Sequence, residues 1–231
     1  RKQKIKKMIT EKSLGFMFFT RFLGATCNTL SSTITRNTSW QPALVPPTQA
    51  ALVSYSSGST GKPKAIYRSH QVLSAQHAIL KTIFPPTIRQ NDFPLFPNII
   101  LHNLAAGIRT IMPCISGFKL ANLEPEVIAK QLINYEIDTL TGNVFYFKKL
   151  FKYLESTSQV LPDVKAVGVG GSPVKENLAK GLMKYFTNAK CYIIYGSSEA
   201  EPISVRELNN SFEDPLSGFA VGKVVDGLEL R

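Results

Sequence analysis

Cysteine and long apolar runs are both scarce in this sequence. Cys27, Cys114 and Cys191 are the three cysteines among 231 residues. They are far apart and odd in number, so their spacing predicts neither a metal site nor a disulfide framework, and a reducing, cytoplasmic compartment is the default expectation. The apolar stretch 14–22 includes Thr20 and Arg21, and it is shorter than the roughly 18 residues of a membrane span. The sequence therefore predicts no transmembrane helix.

Acidic residues are also few, 16 against 27 lysines and arginines, which gives a net charge of +11. Such a charge can attract nucleic acid or an anionic membrane. It is concentrated at the start, where residues 1–12 hold six basic residues and one acidic residue. We expect residues 1–22 to form a basic amphipathic helix, which either makes weak contact with a membrane surface or docks on the domain. Because the sequence has no known nucleic-acid-binding motif, we expect no nucleic acid partner.

Strand-like and helical patterns alternate from residue 49 onward. Short apolar runs next to Gly, Pro or Asn predict strands, and a period near 3.6 predicts helices. Strands are predicted at 50–55, 63–68, 92–96, 108–113, 137–142, 164–171 and 189–196, and helices at 69–84, 98–107, 124–136, 144–156 and 175–186. Ser69 is a candidate N-cap for the first of these helices. Such repeated strand–helix–strand units predict an α/β fold of layered, mostly parallel sheets with flanking helices.

The stretch SYSSGSTGKPKAIYRSH, residues 54–70, combines small residues with lysines between two predicted strands. Glycine and small hydroxyl residues leave backbone N–H groups uncovered, so the loop suits an anion such as phosphate. It is not the P-loop of nucleotide hydrolases, because Gly58 and Gly61 are too close together and Lys62 is followed by Pro63 instead of Ser or Thr. A flexible surface turn would explain the small residues but not their position between two apolar strands.

YSSGSTGKPK, residues 55–64, resembles the signature loop of the adenylate-forming enzymes: acyl-CoA synthetases, nonribosomal adenylation domains and luciferases. Three later segments resemble further signatures of that family in the same order: GVGGSPV, YIIYGSSEAEPIS and VGKVVDGLELR, at residues 168–174, 192–204 and 221–231. HQVLSAQ, DFPLF, GIRTIMP and SSEAEPIS are similar to the branch that acts on long-chain fatty acyl groups, which includes the β-lactone synthetases of olefin synthesis.

The resemblance implies a reaction in which a carboxylate attacks the α-phosphorus of ATP to give an acyl-adenylate and pyrophosphate. A thiol of CoA or of a carrier protein then takes the acyl group. The implied substrate is a small-molecule carboxylate, a fatty acid in this branch, and the implied metal is Mg²⁺. Lactone formation is the alternative second step.

The resemblance also implies roles for residues of this chain. Lys64 brings charge to the phosphates, Glu199 ligates Mg²⁺, and the Ser198 hydroxyl reaches the α-phosphate; these three form the implied catalytic set. Tyr195 stacks on adenine. The implied phosphate-binding loop is Ser56, Ser57, Gly58, Ser59, Thr60 and Gly61. The implied residues near adenine or the acyl carboxylate are Gly170, Gly171 and Ser172, and Gly196 also belongs to the implied nucleotide-binding set.

Several other positions receive structural or minor roles. Lys62 is expected on the surface, and His70 and His77 are expected to be structural. His102 is either a core residue or a replacement for the histidine that many relatives carry at the position of Pro97, and it is not part of the implied catalytic set. Gly142 and Val144 fall where relatives line the acyl pocket. Ala65 replaces a common glycine, a mild change in a strand.

The expected organisation is a basic helix and connector over 1–48 and a nucleotide-binding α/β core over 49–231. Compared with the family, most of an N-terminal subdomain and the mobile C-terminal domain are missing from the sequence. We therefore expect the chain to catalyse adenylation poorly or not at all by itself. A truncated, non-catalytic remnant that binds nucleotide is the alternative.

Overall fold

The computed structural model describes residues 7–10, 26–29, 41, 43–57, 63–84, 90–116, 119–209 and 218–229. The chain divides into two units, residues 1–45 and 46–231. In the first unit, strand β1 (Lys7–Thr10) pairs in parallel with strand β2 (Thr26–Thr29).

The prediction of a helix over residues 1–22 is wrong for residues 7–10, which form strand β1. Residues 7–10 are extended and paired with residues 26–29, which the sequence had assigned to a connector. Ile9 and Thr10 are β-branched and lose side-chain freedom in a helix, so an extended backbone with a partner strand suits them. The rest of the predicted helix lies outside the described residues.

The second unit begins with a β-hairpin and continues as alternating strands and helices. The hairpin is β3 (Ala50–Ser57) and β4 (Pro63–Ser69). The further strands are β5 (Asn91–Pro94), β6 (Arg109–Thr110), β7 (Thr139–Asn143), β8 (Ala166–Gly170), β9 (Lys190–Tyr195), β10 (Ser204–Glu207) and β11 (Lys223–Val224). The helices are α1 (His70–Ile83), α2 (Pro97–Ala106), α3 (Pro125–Asn134), α4 (Val144–Ser156) and α5 (Glu176–Tyr185), with a 3₁₀ turn at Leu120–Asn122.

Within the described residues, seven strands form one sheet in the order β11-β10-β9-β8-β7-β5-β6. The five neighbouring strands β9, β8, β7, β5 and β6 run parallel. Strands β10 and β11 add antiparallel pairs at one edge. The predicted α/β class with mostly parallel pairing is confirmed. The chain order reverses at β5, because β6 lies on one side of it and β7 on the other. In open α/β sheets, ligands bind outside the carboxyl ends of the strands near such a point.

Helices cover both faces of this sheet. Side chains of α3, α4 and α5 pack with alternate strand residues such as Val167, Val169 and Ile193 into the larger core. Leu80 of α1 and Ile99 of α2 pack with Tyr192 into a second cluster. Because successive strand residues point to opposite faces, the sheet is buried on both sides, as parallel sheets require.

Local signals set where the helices begin. The Ser69 side chain accepts a hydrogen bond from the backbone N–H of Val72, so it caps α1 as predicted. The Asn143 side chain accepts from the N–H of Tyr146 at 2.8 Å and caps α4. Proline occupies the first position of α2 and of α3, where its missing N–H costs no helical hydrogen bond. None of the helices among the described residues combines the length and the apolar character of a membrane span.

Candidate functional site

A cavity of about 620 Å³ lies at the carboxyl ends of β5, β7, β8 and β9, against the β3–β4 hairpin. Its walls come from segments far apart in the sequence, which the sheet order and the hairpin bring together. Its lining residues include Ser54, Arg68, Asn98, Gly170, Gly171, Gly196, Ser198 and Glu201. The cavity therefore has the position in the fold at which α/β proteins bind ligands.

Lys64 and Glu199 meet beside this cavity. Lys64 Nζ donates a hydrogen bond to Glu199 Oε1 at 3.2 Å, and both side chains are more than half exposed. Lys64 lies at the start of β4, and Glu199 lies at the tip of a turn in which the Ser197 and Ala200 backbones exchange hydrogen bonds. The hydrogen bond from Lys64 lowers the pKa of Glu199. An ammonium group and a carboxylate thus stand together in reach of solvent.

A second, smaller cavity of about 280 Å³ adjoins the ends of β8 and β9. Gly171, Ser172, Tyr195 and Gly196 line it, together with Phe219. The Tyr195 side chain is 49% exposed. A half-exposed aromatic ring and the backbone of two glycines in the lining of one cavity suit a flat ring such as a nucleobase.

Glycine is required at each of the two consecutive positions at the end of β8, for a different physical reason. A Cβ atom on Gly170 would lie 2.5 Å from the backbone oxygen of Ile194. Gly171 has a φ of +74°, in the left-handed region that favours glycine. The first glycine therefore permits β8 and β9 to pack closely, and the second permits the chain to turn at the cavity.

The structure places the sequence-predicted site residues as follows. Lys64 pairs with Glu199, and the backbone carbonyl of Ser198 accepts a hydrogen bond from Arg68 at 2.7 Å. Residues 58–62, including Gly58, Ser59, Thr60 and Gly61, lie outside the described residues, as do the side chains of Ser56 and Ser57. The backbones of those two serines belong to β3, so β3 and β4 flank the loop as predicted.

The residues with minor predicted roles lie as follows. His77 Nδ1 lies 3.0 Å from His102 Nδ1, where α1 meets α2. Gly142 lies against the Tyr146 ring, which would be 2.7 Å from an added Cβ, and Val144 packs on the larger core. His70 is the exposed first residue of α1.

Arg68, Glu201 and Asn98 line the cavity and were missed by the sequence analysis. Arg68 is 7% exposed and lies on β4 two residues after buried Ile66, so both side chains point inward. Its place two residues after an apolar strand residue is the sequence signal by which Arg68 could have been found. A charged residue on the inward face of a strand needs a partner of opposite charge, and Glu201 supplies it at 2.8 Å.

The residues present fit Mg²⁺ and a nucleotide triphosphate. Mg²⁺ commonly takes one or two carboxylates and completes its shell with phosphate oxygens and water, and Glu199 is an exposed carboxylate. The Lys64 ammonium is placed to neutralise phosphate charge, and glycines at 170, 171 and 196 keep the cavity wall free of side chains.

The profile of the AMP-binding enzyme family matches residues 9–231. The chain belongs to the AMP-binding enzyme family. This family includes the adenylate-forming enzymes that the signature segments resemble, so the recognition made from the sequence is confirmed.

Two curated proteins are similar in sequence to this chain. An olefin β-lactone synthetase from Xanthomonas campestris pv. campestris is 25% identical over 187 residues, which is 78% of this chain and 33% of the relative. A long-chain-fatty-acid–CoA ligase from Thermus thermophilus is 25% identical over 181 residues, 76% of this chain and 33% of the relative. The chain thus spans about one third of the length of these relatives.

Solved structures of the family have the same fold. O-succinylbenzoate coenzyme A synthetase from Bacillus subtilis, in complex with ATP and a magnesium ion, aligns with a TM-score of 0.68 at 12% identity. The alignment covers 96% of this chain and 45% of that one. This structural similarity shows that the chain has the fold of the family, and it carries no information about the substrate.

Proposed function

We propose that this chain is the Mg·ATP-binding core of a ligase that activates a long-chain fatty carboxylate as an acyl-adenylate. One carboxylate oxygen of the substrate bonds to the α-phosphorus of ATP, and pyrophosphate leaves. A thiol of CoA or of a carrier protein then takes the acyl group, and AMP leaves. The observation that carries the proposal is the junction of Lys64 and Glu199 beside the cavity at the carboxyl edge of the sheet.

Each group of the site has a task in this chemistry. Bound magnesium would neutralise phosphate charge and help to hold the phosphates in line with the attacking oxygen. Glu199 offers a carboxylate oxygen to the metal, and Lys64 brings a positive charge to the phosphates. Tyr195 and the backbone of Gly171 and Ser172 form the cavity proposed for adenine. The loop at residues 56–61 is proposed to wrap the outer phosphates.

Similarity to the Xanthomonas campestris synthetase favours a second candidate for the later step. In that version, a hydroxyl group of the acyl chain, rather than a thiol, attacks the adenylate carbonyl, closes a lactone ring and expels AMP. The activation step and its residues are the same in both candidates. Product analysis with CoA and with a 3-hydroxy fatty acid separates them, because the first gives a thioester and the second a lactone.

The experiment that tests the proposal has two measurements on the full chain. Isothermal titration calorimetry should detect ATP binding that requires Mg²⁺. Exchange of labelled pyrophosphate into ATP, measured across a series of fatty acids, should depend on the carboxylate. Absence of Mg·ATP binding contradicts the proposed core function. Binding without exchange for any acid favours the non-catalytic alternative.

A further inference from the structure

Arg68 joins the hairpin to the turn that carries Glu199. Its side chain is 8% exposed. Nη1 donates to Ser54 Oγ at 3.0 Å, and Nη2 donates both to the Ser198 backbone oxygen at 2.7 Å and to Glu201 Oε1 at 2.8 Å. One buried guanidinium therefore contacts β3 and both sides of Glu199 in the sequence.

Glu201 extends this network to the helices. Its Oε1 also accepts a hydrogen bond from Asn98 Nδ2 at 3.2 Å, at the start of α2. Burial raises the pKa of Glu201, while the positive charge of Arg68 and a hydrogen bond from Gln76 of α1 oppose that rise. The turn at residues 197–201 is thus fastened to the hairpin and to two helices through side chains that themselves lie outside the implied metal and phosphate contacts.

The exposed pair of Lys64 and Glu199 cannot provide this fixing. Ion pairs in solvent contribute little and are screened by salt. A buried, branched set of charged hydrogen bonds is directional, and guanidinium geometry suits several acceptors at once. Arg68 bonds the carbonyl of Ser198, the residue directly before Glu199, so its position sets where the Glu199 backbone starts.

We infer that Arg68 and Glu201 are positioning residues that hold the 197–201 turn so that Glu199 faces Lys64 and the metal. This inference rests on the proposed function, since it concerns the same site. It predicts that loss of either residue weakens the binding of Mg²⁺, although Arg68 has no oxygen to offer a metal and Glu201 Oε1 already accepts from Arg68 and Asn98. Outer contacts that orient a metal ligand change metal affinity by about tenfold to hundredfold when they are removed.

The alternative is that the pair only stabilises the fold. The chain offers a matched control in Arg206 and Glu176, whose Nη1 to Oε1 distance is 2.7 Å and whose side chains are 11% and 22% exposed. The corresponding values for Arg68 and Glu201 are 2.8 Å, 8% and 31%. Removing either arginine should lower thermal stability, but only the first should disturb the turn.

The experiment compares Arg68→Met with Arg206→Met in the full chain by two measurements. Amide hydrogen exchange without ligand should be faster than in wild type at Ala200 and Ile203 for Arg68→Met only, because their N–H groups close the turn. The Mg²⁺ concentration at half-maximal ATP binding should rise about tenfold to hundredfold for Arg68→Met and stay at the wild-type value for Arg206→Met.

Each outcome decides the question. Equal effects of the two variants, or no effect of Arg68→Met on either measurement, overturn the inference. Failure of wild type to bind Mg·ATP contradicts the proposed function instead, and hydrogen exchange then still reports whether Arg68 holds the turn. If Arg68→Met does not fold, Glu201→Gln and Glu176→Gln provide the same comparison with nearly unchanged side-chain shape.

Discussion

Lys64 Nζ lies 3.2 Å from Glu199 Oε1, although 135 positions of sequence separate the two residues. The two residues meet because the β3–β4 hairpin and the turn after β9 both border the same cavity. Both side chains are mostly exposed, so the pair contributes little to folding. An arrangement of opposite charges that is weak for stability is well suited to accept a charged ligand.

Lys64→Ala and Glu199→Ala should each weaken Mg·ATP binding by about tenfold or more, because each removes a charged contact to the ligand. Calorimetric titration with ATP at fixed Mg²⁺ measures the loss. The melting temperature should stay at the wild-type value. Lys130→Ala is the matched control, since Lys130 and Glu126 form an equally exposed pair at 2.7 Å on α3. Unchanged nucleotide affinity in both site variants would contradict the assignment.

Tyr195→Ala should weaken ATP binding by about 1–3 kcal/mol, the usual contribution of an aromatic ring stacked on a base. The affinity for inorganic pyrophosphate should not change, since that ligand has no base. Competition titrations with ATP and pyrophosphate test both statements. Tyr135, 46% exposed against 49% for Tyr195, is the control position. Equal losses for ATP in Tyr135→Ala and Tyr195→Ala would mean that the ring has no specific role.

Gly170→Ala should destabilise the fold by about 1–3 kcal/mol, since the added methyl meets the Ile194 backbone oxygen at 2.5 Å and a strand backbone cannot move aside. Gly168→Ala is the control on the same strand. Its methyl would meet the tips of the Ile194 and Phe84 side chains at 2.9 Å, and side-chain tips shift more readily than a strand backbone. Urea denaturation of both variants measures the difference, and a larger loss for Gly168→Ala would refute this account.

The sequence predicted those elements whose signals are local. Helix α4 was predicted at 144–156 and is found at Val144–Ser156, because Asn143 caps its start and its apolar residues follow one face. Helix α1 begins at the Ser69 cap as expected. The Gly-Gly segment and the loop flanked by two strands were likewise visible as short patterns.

What the sequence could not predict depends on distant partners. Residues 7–10 carry a helical pattern, and pairing with residues 26–29 makes them a strand instead. Strand β6 is two residues long where 108–113 was predicted, since only Arg109 and Thr110 find partners on β5. The contact of Arg68 with Glu201 could not be predicted for the same reason, because it joins β4 to a segment 133 residues later and only the fold brings the two together.

His102 should make stability depend on pH. Its Nδ1 lies 3.0 Å from His77 Nδ1, so one ring must donate and the other accept. Burial, and then the charges of His77 and Lys81, lower the pKa of His102 to about 4. As pH falls below about 6.5, the His102 imidazole becomes protonated in the unfolded chain but stays neutral in the folded chain. The free energy of unfolding should then fall by up to about 1.4 kcal/mol per pH unit until about pH 4.

Urea denaturation of wild type and His102→Gln at pH 7, 6 and 5 isolates this contribution as the difference between the two proteins. Other groups also contribute to the pH dependence of stability; burial raises the pKa of Asp92, for example, which favours the fold as pH falls. Those groups are common to both proteins and cancel in the difference. His102→Gln should lose stability at pH 7 and recover relative to wild type at pH 5. A constant difference in stability between wild type and His102→Gln at all three pH values would exclude His102 as the source of this pH dependence.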